Sequence, residues 1–204
     1  MAASSNVARP IYPYQIRNNA SGVAQGDRKL EKATQTFLQG TPVQVDVAGA
    51  TGFLIACPTM SSAATAIIAG MSQEPGHNLT TSGVGLVLTT GFKPPNQPSA
   101  NVYPIGAPLS DGTCGLWVGD DTTVFVGIYG DSATAANAVL AQAQVNAIRG
   151  LTKDGGNNFW YVDNNITTVG TGACVEILFL IDPVGTLNGR VAFRITHAAQ
   201  QQNV

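Results

Sequence analysis

The residues of this chain best placed to do chemistry stand around His77. The segment reads EPGHNLTTSG, so the carboxylate of Glu74 and the hydroxyl of Ser82 stand within a few residues of the imidazole. Such a loop could in principle support general-base chemistry. The other histidine, His197, lies in a polar tail, and no G-x-S-x-G elbow presents a nucleophile. The sequence therefore predicts that the protein is not an enzyme.

Metal and cofactor chemistry is equally poorly supported. The Asp- and Asn-rich stretch 154–165 offers the hard oxygen ligands that calcium takes. Its spacing does not follow a calcium-binding loop, and turn formation explains these residues more simply. Cys57, Cys114 and Cys174 are too far apart in sequence for a CxxC site, which predicts buried thiols that act as small hydrophobic residues. No metal and no cofactor are expected.

A lone carboxylate, Glu176, interrupts an apolar run near the end of the chain. The segment ACVEILFLIDPVGTLNGRVAFRIT has two apolar runs around a loop with Asp-Pro and Asn-Gly, which predicts a hairpin. Arg190 and Arg194 on the returning strand are the expected cross-strand partners of Glu176. The opposite face of the first strand is predicted to point into the core, through Val175, Ile177, Phe179 and Ile181.

The N-terminal residues 1–36 are predicted to form an extended arm. Pro10 and Pro13 break regular structure there, and aromatic and aliphatic residues lie between and around them. An extended segment of this kind suits the groove or sheet edge of another subunit. A disordered terminus is the alternative. The residues predicted to contact another subunit are Arg9, Ile11, Tyr12, Tyr14 and Arg17.

Charge is sparse and unevenly distributed. Asp, Glu, Lys and Arg make up 11% of the 204 residues, against about 25% in a typical soluble domain. Residues 1–32 carry five basic and two acidic groups, whereas residues 33–204 carry five basic and ten acidic groups. The net charge of −2 argues against nucleic-acid binding. A surface this poor in charge is expected to be covered in an assembly, and the basic head on an acidic body suggests electrostatic contacts between subunits or a solvated tail.

The remaining chain, residues 37–204, is predicted to be a β-rich body. Short apolar runs such as TFLQGTPVQVDV and TTVFVGIYG are separated by Gly, Pro and Asn, which is typical of a single compact β-sandwich or barrel. The Ala-rich stretch 132–148 is either the one short helix or an irregular loop that runs into a strand. The tail 197–204 is expected to be frayed. No secretory signal and no apolar run of transmembrane length is seen, so no membrane association is expected.

Several segments, taken in order, resemble the capsid decoration (cement) proteins of tailed bacteriophages. These are FLQGTPVQVD, AIIAGMSQEPGHNL, GAPLSDGT, TTVFVGIYGD, FWYVD and DPVGTLNGRVAFRI, and together they span roughly residues 37–195. The resemblance implies a β-rich body on the capsid exterior of a virion assembled in the host cytoplasm. It implies the major capsid protein as partner, a homo-oligomer with a trimer favoured, and an arm that adds to the grip. A decoration protein that binds only the mature lattice of the major capsid protein stabilises that lattice by mass action.

A different class of function remains open from the sequence. A β-sandwich receptor- or carbohydrate-binding module of a phage tail or cell surface would use exposed tryptophans to stack on sugar rings. Trp117 and Trp160 are the candidates, and packing in the core is the alternative for both.

Overall fold

The fold is built from short β-strands separated by tight turns, as the sequence predicts. A computed structural model describes residues 9–16, 26–32, 35–47, 52–58, 67–76, 78–81, 86–90, 110–156, 158–168 and 172–201. Helical structure in these ranges is limited to single 3₁₀ turns, so the prediction of a mainly β protein is confirmed. No helix in these ranges is long and apolar enough to span a membrane.

Thirteen strands lie in the described residues. They are β1 (Tyr12–Ile16), β2 (Gly26–Lys32), β3 (Pro42–Val45), β4 (Leu54–Ala56), β5 (Gly70–Ser72), β6 (Asn78–Thr81), β7 (Leu86–Thr90), β8 (Ser110–Val118), β9 (Thr123–Gly130), β10 (Ile148–Lys153), β11 (Trp160–Asp163), β12 (Ala173–Leu180) and β13 (Arg190–Ile195). They form two closed rings and one small hairpin, β6–β7. The described strands thus form two barrels, where a single β-sandwich or barrel was expected.

The first ring, which we call the C-terminal barrel, contains β9 to β13. Its strands follow the order β9-β11-β10-β12-β13, and a further pairing of β13 with β9 closes it. β9 pairs with β11 in parallel, and the other pairs are antiparallel. Closure removes the free edges that an open sheet would present to other chains.

The register of the C-terminal barrel decides which side chains point inward. Residues directly opposite each other on neighbouring strands share a face. One row points into the barrel and joins Pro13, Phe125, Phe193 and Ile177. The adjacent row points outward and joins Tyr12, Val126, Ala192 and Phe179. The two phenylalanine rings of the inward row lie 6.0 Å apart and centre the larger hydrophobic core.

The second ring, the N-terminal barrel, has the strand order β2-β4-β3-β5-β8. Its small core contains Phe37, Val43, Leu54 and Leu116. The larger core of the C-terminal barrel reaches into it through Ile68 and Met71. The two barrels therefore pack on each other through a shared hydrophobic contact.

The described part of the N-terminal segment belongs to the body, contrary to the prediction of a separate arm over residues 1–36. β1 pairs with β9 beside the C-terminal barrel, and β2 pairs along its whole length with β8 of the N-terminal barrel. Ile11 is fully buried in the larger core. Gly127 on β9 lies beside it and makes room for Phe193, because a Cβ there would stand 3.0 Å from the Phe193 ring and at an ordinary contact distance of 3.5 Å from Ile11. Pro13 is itself paired, with Phe125, and the pairing of β1 resumes at Gln15 after one irregular position.

The C-terminal tail is also packed, as far as it is described, and the expectation of fraying is wrong for residues 197–201. The Ile68 N–H donates to the Ala199 carbonyl at 2.7 Å, and the Gln201 N–H donates back to the Ile68 carbonyl at 2.9 Å. The Gln201 side-chain amide accepts from the Val45 N–H at 2.6 Å and donates to the Val45 carbonyl at 3.0 Å. The glutamine amide thus bonds to both backbone groups of Val45 at the end of β3, as a neighbouring strand would, and it links the tail to the N-terminal barrel.

The Ala-rich stretch 132–148 is an irregular loop that runs into β10, which was one of its two predicted structures. Two 3₁₀ turns, Ala135–Asn137 and Gln142–Gln144, interrupt it. Besides the hydrogen bonds inside these turns, its backbone bonds to the β12–β13 loop: the Leu140 N–H donates to the Thr186 carbonyl, and the Leu140 carbonyl accepts from the Gly185 N–H. Partners outside the segment satisfy part of its peptide groups, so high alanine helix propensity does not decide its structure.

The closing hairpin is confirmed as β12 and β13. Its core face is only partly as predicted, because a bulge between Ile177 and Phe179 shifts the register. Val175 and Ile177 are buried, as predicted, but Phe179 lies on the outer face and Leu180 packs against the core instead. A bulge of one residue exchanges the faces of all residues beyond it.

The turn that joins the two barrels is organised by Asp120. One of its carboxylate oxygens accepts from the backbone N–H groups of Thr122 (2.9 Å) and Thr123 (2.7 Å) and from both threonine hydroxyls. Burial raises the pKa of Asp120, but these hydrogen bonds outweigh burial and lower the pKa below its ordinary value. The Gly119-Asp120-Asp121 sequence is therefore a structural turn.

We expect Asp120→Ala to destabilise the protein by about 1–3 kcal/mol, because it leaves the donors of Thr122 and Thr123 without their acceptor. The lowered pKa means that the wild-type carboxylate stabilises the fold above the unfolded-state value of about 3.9, and this contribution is lost as the pH falls through the folded-state pKa. Urea unfolding at several pH values measures both effects. Asp121→Ala is the matched control, since Asp121 is exposed. An equal loss in the two variants would contradict the assignment.

Candidate interaction surface

Glu74, the described residue of the loop that was considered for general-base chemistry, has structural partners. Glu74 accepts from Arg28 at 3.0 Å and from the Gly115 N–H at 2.8 Å. His77 and Ser82 lie outside the described residues. Among the residues that the structure does describe, no group of three or more His, Cys, Asp or Glu side chains is arranged to hold a metal ion. The carboxylates of the calcium candidate stretch organise turns, as Asp163 does for the Asn165 N–H.

The cysteines are buried free thiols, as predicted. Burial raises the pKa of Cys174 to about 12 and raises that of Cys57 well above its ordinary value. Neither thiol forms a reactive thiolate near neutral pH.

The predicted basic head is partly neutralised within the chain. Arg28 pairs with Glu74 at 3.0 Å, and Lys32 pairs with Asp46 at 2.8 Å. These ion pairs join β2 to the rest of the N-terminal barrel. Part of the basic charge of residues 1–32 therefore pairs with carboxylates of the same molecule.

The outer face of the C-terminal barrel carries an exposed aromatic cluster. Tyr14 occupies the irregular position of β1 between Pro13 and Gln15 and is 52% exposed. Its ring meets that of Phe179 edge-on, with 5.4 Å between ring centroids. Since β9 and β13 lie between the strands of these two residues, the rings cross over the outward row, where Ala192 is fully buried. The N-terminal strand therefore covers small residues with aromatic ones.

Two arginines flank this cluster on β13. Arg190 and Arg194 alternate with inward residues, so both share the outer face with Ala192. Arg194 pairs with Glu176 at 2.7 Å directly across the strands, which confirms that predicted pair. Arg190 pairs with Asp182 at 2.7 Å instead of with Glu176.

The pair of Arg190 and Asp182 also involves the N-terminal segment. Hydrogen bonds from Arg190, together with the nearby charge of Arg9, lower the pKa of the Asp182 carboxyl. The hydrogen bond to Asp182 and one to Tyr12 raise the pKa of Arg190. We call Tyr12, Tyr14, Phe179, Arg190 and Arg194 together the aromatic face.

The aromatic face continues into a group of exposed aliphatic residues. Asp182 begins the loop between β12 and β13, in which Val184 is 61% exposed and Leu187 is 53% exposed. Val139, also exposed, forms an antiparallel bridge with Leu187. We call Val139, Val184 and Leu187 the apolar loop tip. Together the two groups form a surface of aromatic, aliphatic and guanidinium groups.

The structure divides the five predicted contact residues. Tyr12 and Tyr14 lie exposed on the aromatic face, and Arg9 is exposed beside it. Ile11 is not available for contact, because the alternation of β1 turns it into the core. Arg17 lies outside the described residues. Sequence reasoning missed Phe179, which the bulge turns outward. It also missed the apolar loop tip, because its residues lie outside the strands and show no alternation of apolar and polar positions.

The tryptophans proposed for sugar stacking are in or near the core. Trp160 is 3% exposed and belongs to the larger hydrophobic cluster, and Trp117 packs against that cluster. The carbohydrate-binding alternative requires an exposed Trp160 ring, and that expectation is wrong because the ring is buried. No family model, no curated protein and no solved structure matches this chain.

Proposed function

We propose that this chain is a structural virion protein that decorates a phage capsid, with the aromatic face docked on the major capsid protein at the capsid exterior. The observation that carries the proposal is the clustering of exposed apolar residues. Of the seven large hydrophobic residues exposed in the described ranges, five belong to the aromatic face or the apolar loop tip. Monomeric proteins rarely gather such residues on one surface without a binding partner.

The composition of this surface suits a protein partner. Tyrosine and arginine are enriched at the energetic centres of protein interfaces, where aromatic anchors are surrounded by less critical contacts. Both arginines are already held by carboxylates, so their positions are fixed before binding and less side-chain entropy is lost. The resemblance of several segments, in order, to decoration proteins suggests that this partner is the major capsid protein. It also implies a homo-oligomer, with a trimer favoured, which light scattering will measure.

We expect Tyr14→Ala to weaken binding to heads that lack this protein by at least about tenfold, as for an interface anchor. Co-sedimentation of purified protein with such heads measures the affinity. The fold should remain, since the ring is 52% exposed and leaves the hydrogen bonds of β1 in place.

Val47→Ser is the matched control for this measurement. Val47 is 61% exposed but lies after β3 of the N-terminal barrel, away from the aromatic face. We expect it to bind like the wild type. Equal binding by the Tyr14→Ala and wild-type proteins would show that the aromatic face is not the contact surface, and failure of the wild type to bind would overturn the function.

A further inference from the structure

The two loops that carry the apolar loop tip are joined through their backbones. Three hydrogen bonds of 2.8 to 2.9 Å connect residues 138–140 with residues 185–188. The antiparallel bridge between Val139 and Leu187 lies among these bonds. The two loops therefore form one short ribbon, although neither of them contains a regular strand.

This ribbon has a buried side and an exposed side. Ala138 and Leu140 are buried, and Leu140 packs over Gly189, where a Cβ would stand 2.4 Å from the leucine side chain. Val139 lies between these two anchors and is 38% exposed. Leu187 is directly opposite Val139, shares its face and is 53% exposed. The outward side chains are therefore held in position before a partner binds, which lowers the entropy lost on binding.

The two loops carry no charge. Residues 132–148 and 183–189 contain no Asp, Glu, Lys, Arg or His. Their exposed side chains are aliphatic, amide or hydroxyl groups, such as those of Ala136, Asn137 and Gln142. The neighbouring aromatic face differs, because two ion pairs between arginine and carboxylate give it charges of both signs. The two surfaces therefore suit different partners.

A second copy of this chain is the partner that fits an uncharged apolar tip. In a closed homo-oligomer, residues near the symmetry axis meet the same residues of another copy. A charged side chain at that place would face its own charge, whereas valine and leucine meet their own copies without repulsion. Contacts between identical subunits are also more apolar than contacts between different proteins, which rely on complementary charges for specificity.

We infer that copies of this chain meet through the apolar loop tip, around the symmetry axis of a closed homo-oligomer. The aromatic face takes no part in this contact. The inference rests on exposure, rigidity and the absence of charge in the two loops, and it does not require the capsid as a partner of the aromatic face.

Sedimentation velocity of the purified full-length chain, over a range of concentrations, tests the inference. We expect one discrete oligomer for the wild type. Leu187→Asp places like charges together at the axis and should raise the dissociation constant of self-association at least tenfold. The fold should remain, since Leu187 is 53% exposed, and the far-ultraviolet circular dichroism spectrum checks this. Val47→Asp adds the same charge at a side chain that is 61% exposed on the N-terminal barrel, and it should assemble like the wild type.

Leu187→Lys provides the decisive comparison. Alone it should dissociate like Leu187→Asp, because like charges again meet at the axis. A mixture of the two variants brings opposite charges together and should self-associate at least tenfold more tightly than either variant alone.

A monomeric wild type, full assembly of Leu187→Asp, or loss of assembly in Val47→Asp overturns the inference. A mixture that stays as dissociated as its two components also overturns it, because residue 187 then does not face another copy. Co-sedimentation with phage heads measures the aromatic face separately, so these results and the proposed capsid contact can fail independently.

Discussion

A chain that lacks residues 1–32 will not fold into the two-barrel structure. The deletion removes β2, which pairs along its whole length with β8 and so closes the N-terminal barrel. It also removes β1 and Ile11 from the C-terminal barrel. The loss of a buried isoleucine side chain alone costs about 2–5 kcal/mol, and the total stability of a typical domain is about 5–15 kcal/mol. Circular dichroism and calorimetry should detect no cooperative thermal transition.

The control for this deletion is a chain that lacks residues 1–8 only. It keeps β1 and β2 intact, and we expect its Tm to stay within a few degrees of the full-length protein. If the chain without residues 1–32 melts cooperatively near the wild-type Tm, these strands form a detachable arm, and their pairing with β8 and β9 is not what holds the body together.

Asp163→Ala is expected to cost about 3 kcal/mol, the largest effect of any single substitution predicted here. Asp163 is fully buried at the end of β11. Its carboxylate accepts from the Thr152 hydroxyl at 2.6 Å and from the Ser132 and Asn165 N–H groups at 3.0 Å each. Three donors lose their acceptor in the alanine variant, and each loss costs on the order of 1 kcal/mol. For a domain of this size the Tm should fall by roughly 6–12 °C.

Asp163→Asn separates the hydrogen bonds from the space that the side chain fills. It keeps one oxygen for the two backbone donors, and the Thr152 hydroxyl can rotate to accept from the amide. We expect a smaller loss, about 1 kcal/mol, in urea unfolding. Alanine and asparagine variants of equal stability would show that this carboxylate is not the organising centre of the turn.

The sequence predicts the closing hairpin well because its signals are local. Alternation, an Asn-Gly turn and opposite charges on facing strands place Glu176 across from Arg194, as found. The bulge near Phe179 leaves no comparable signal, since neither neighbour is a glycine. It follows from how β12 fits against β13, so the outward position of Phe179 and its contact with Tyr14 are properties of tertiary packing.

The N-terminal segment shows a second limit of sequence patterns. Its prolines and aromatic residues correctly indicate an extended chain without a helix. They do not specify which sheet edge receives that chain, and β1 and β2 join different barrels. The partner strands, β8 and β9, are roughly 80 to 115 residues away in the sequence. Pairing at that separation depends on the whole fold, which no local pattern of residues encodes.

The aromatic face was also predictable only in part, from the local alternation of its strands. Exposure of Tyr12 and Tyr14 agrees with alternation around the buried Ile11, so half of the aromatic face is readable from the sequence. The arginines of β13 come from the same alternation.

The most direct test of the proposed function is electron cryomicroscopy of phage heads that lack this protein, imaged with and without the purified full-length chain. We expect added density on the outer surface at regular lattice positions, oriented with Tyr14 and Phe179 against the major capsid protein. Heads that show no added density after incubation at saturating concentration would contradict a capsid decoration function. Density that contacts the lattice through the N-terminal barrel instead would contradict the aromatic face as the docking surface.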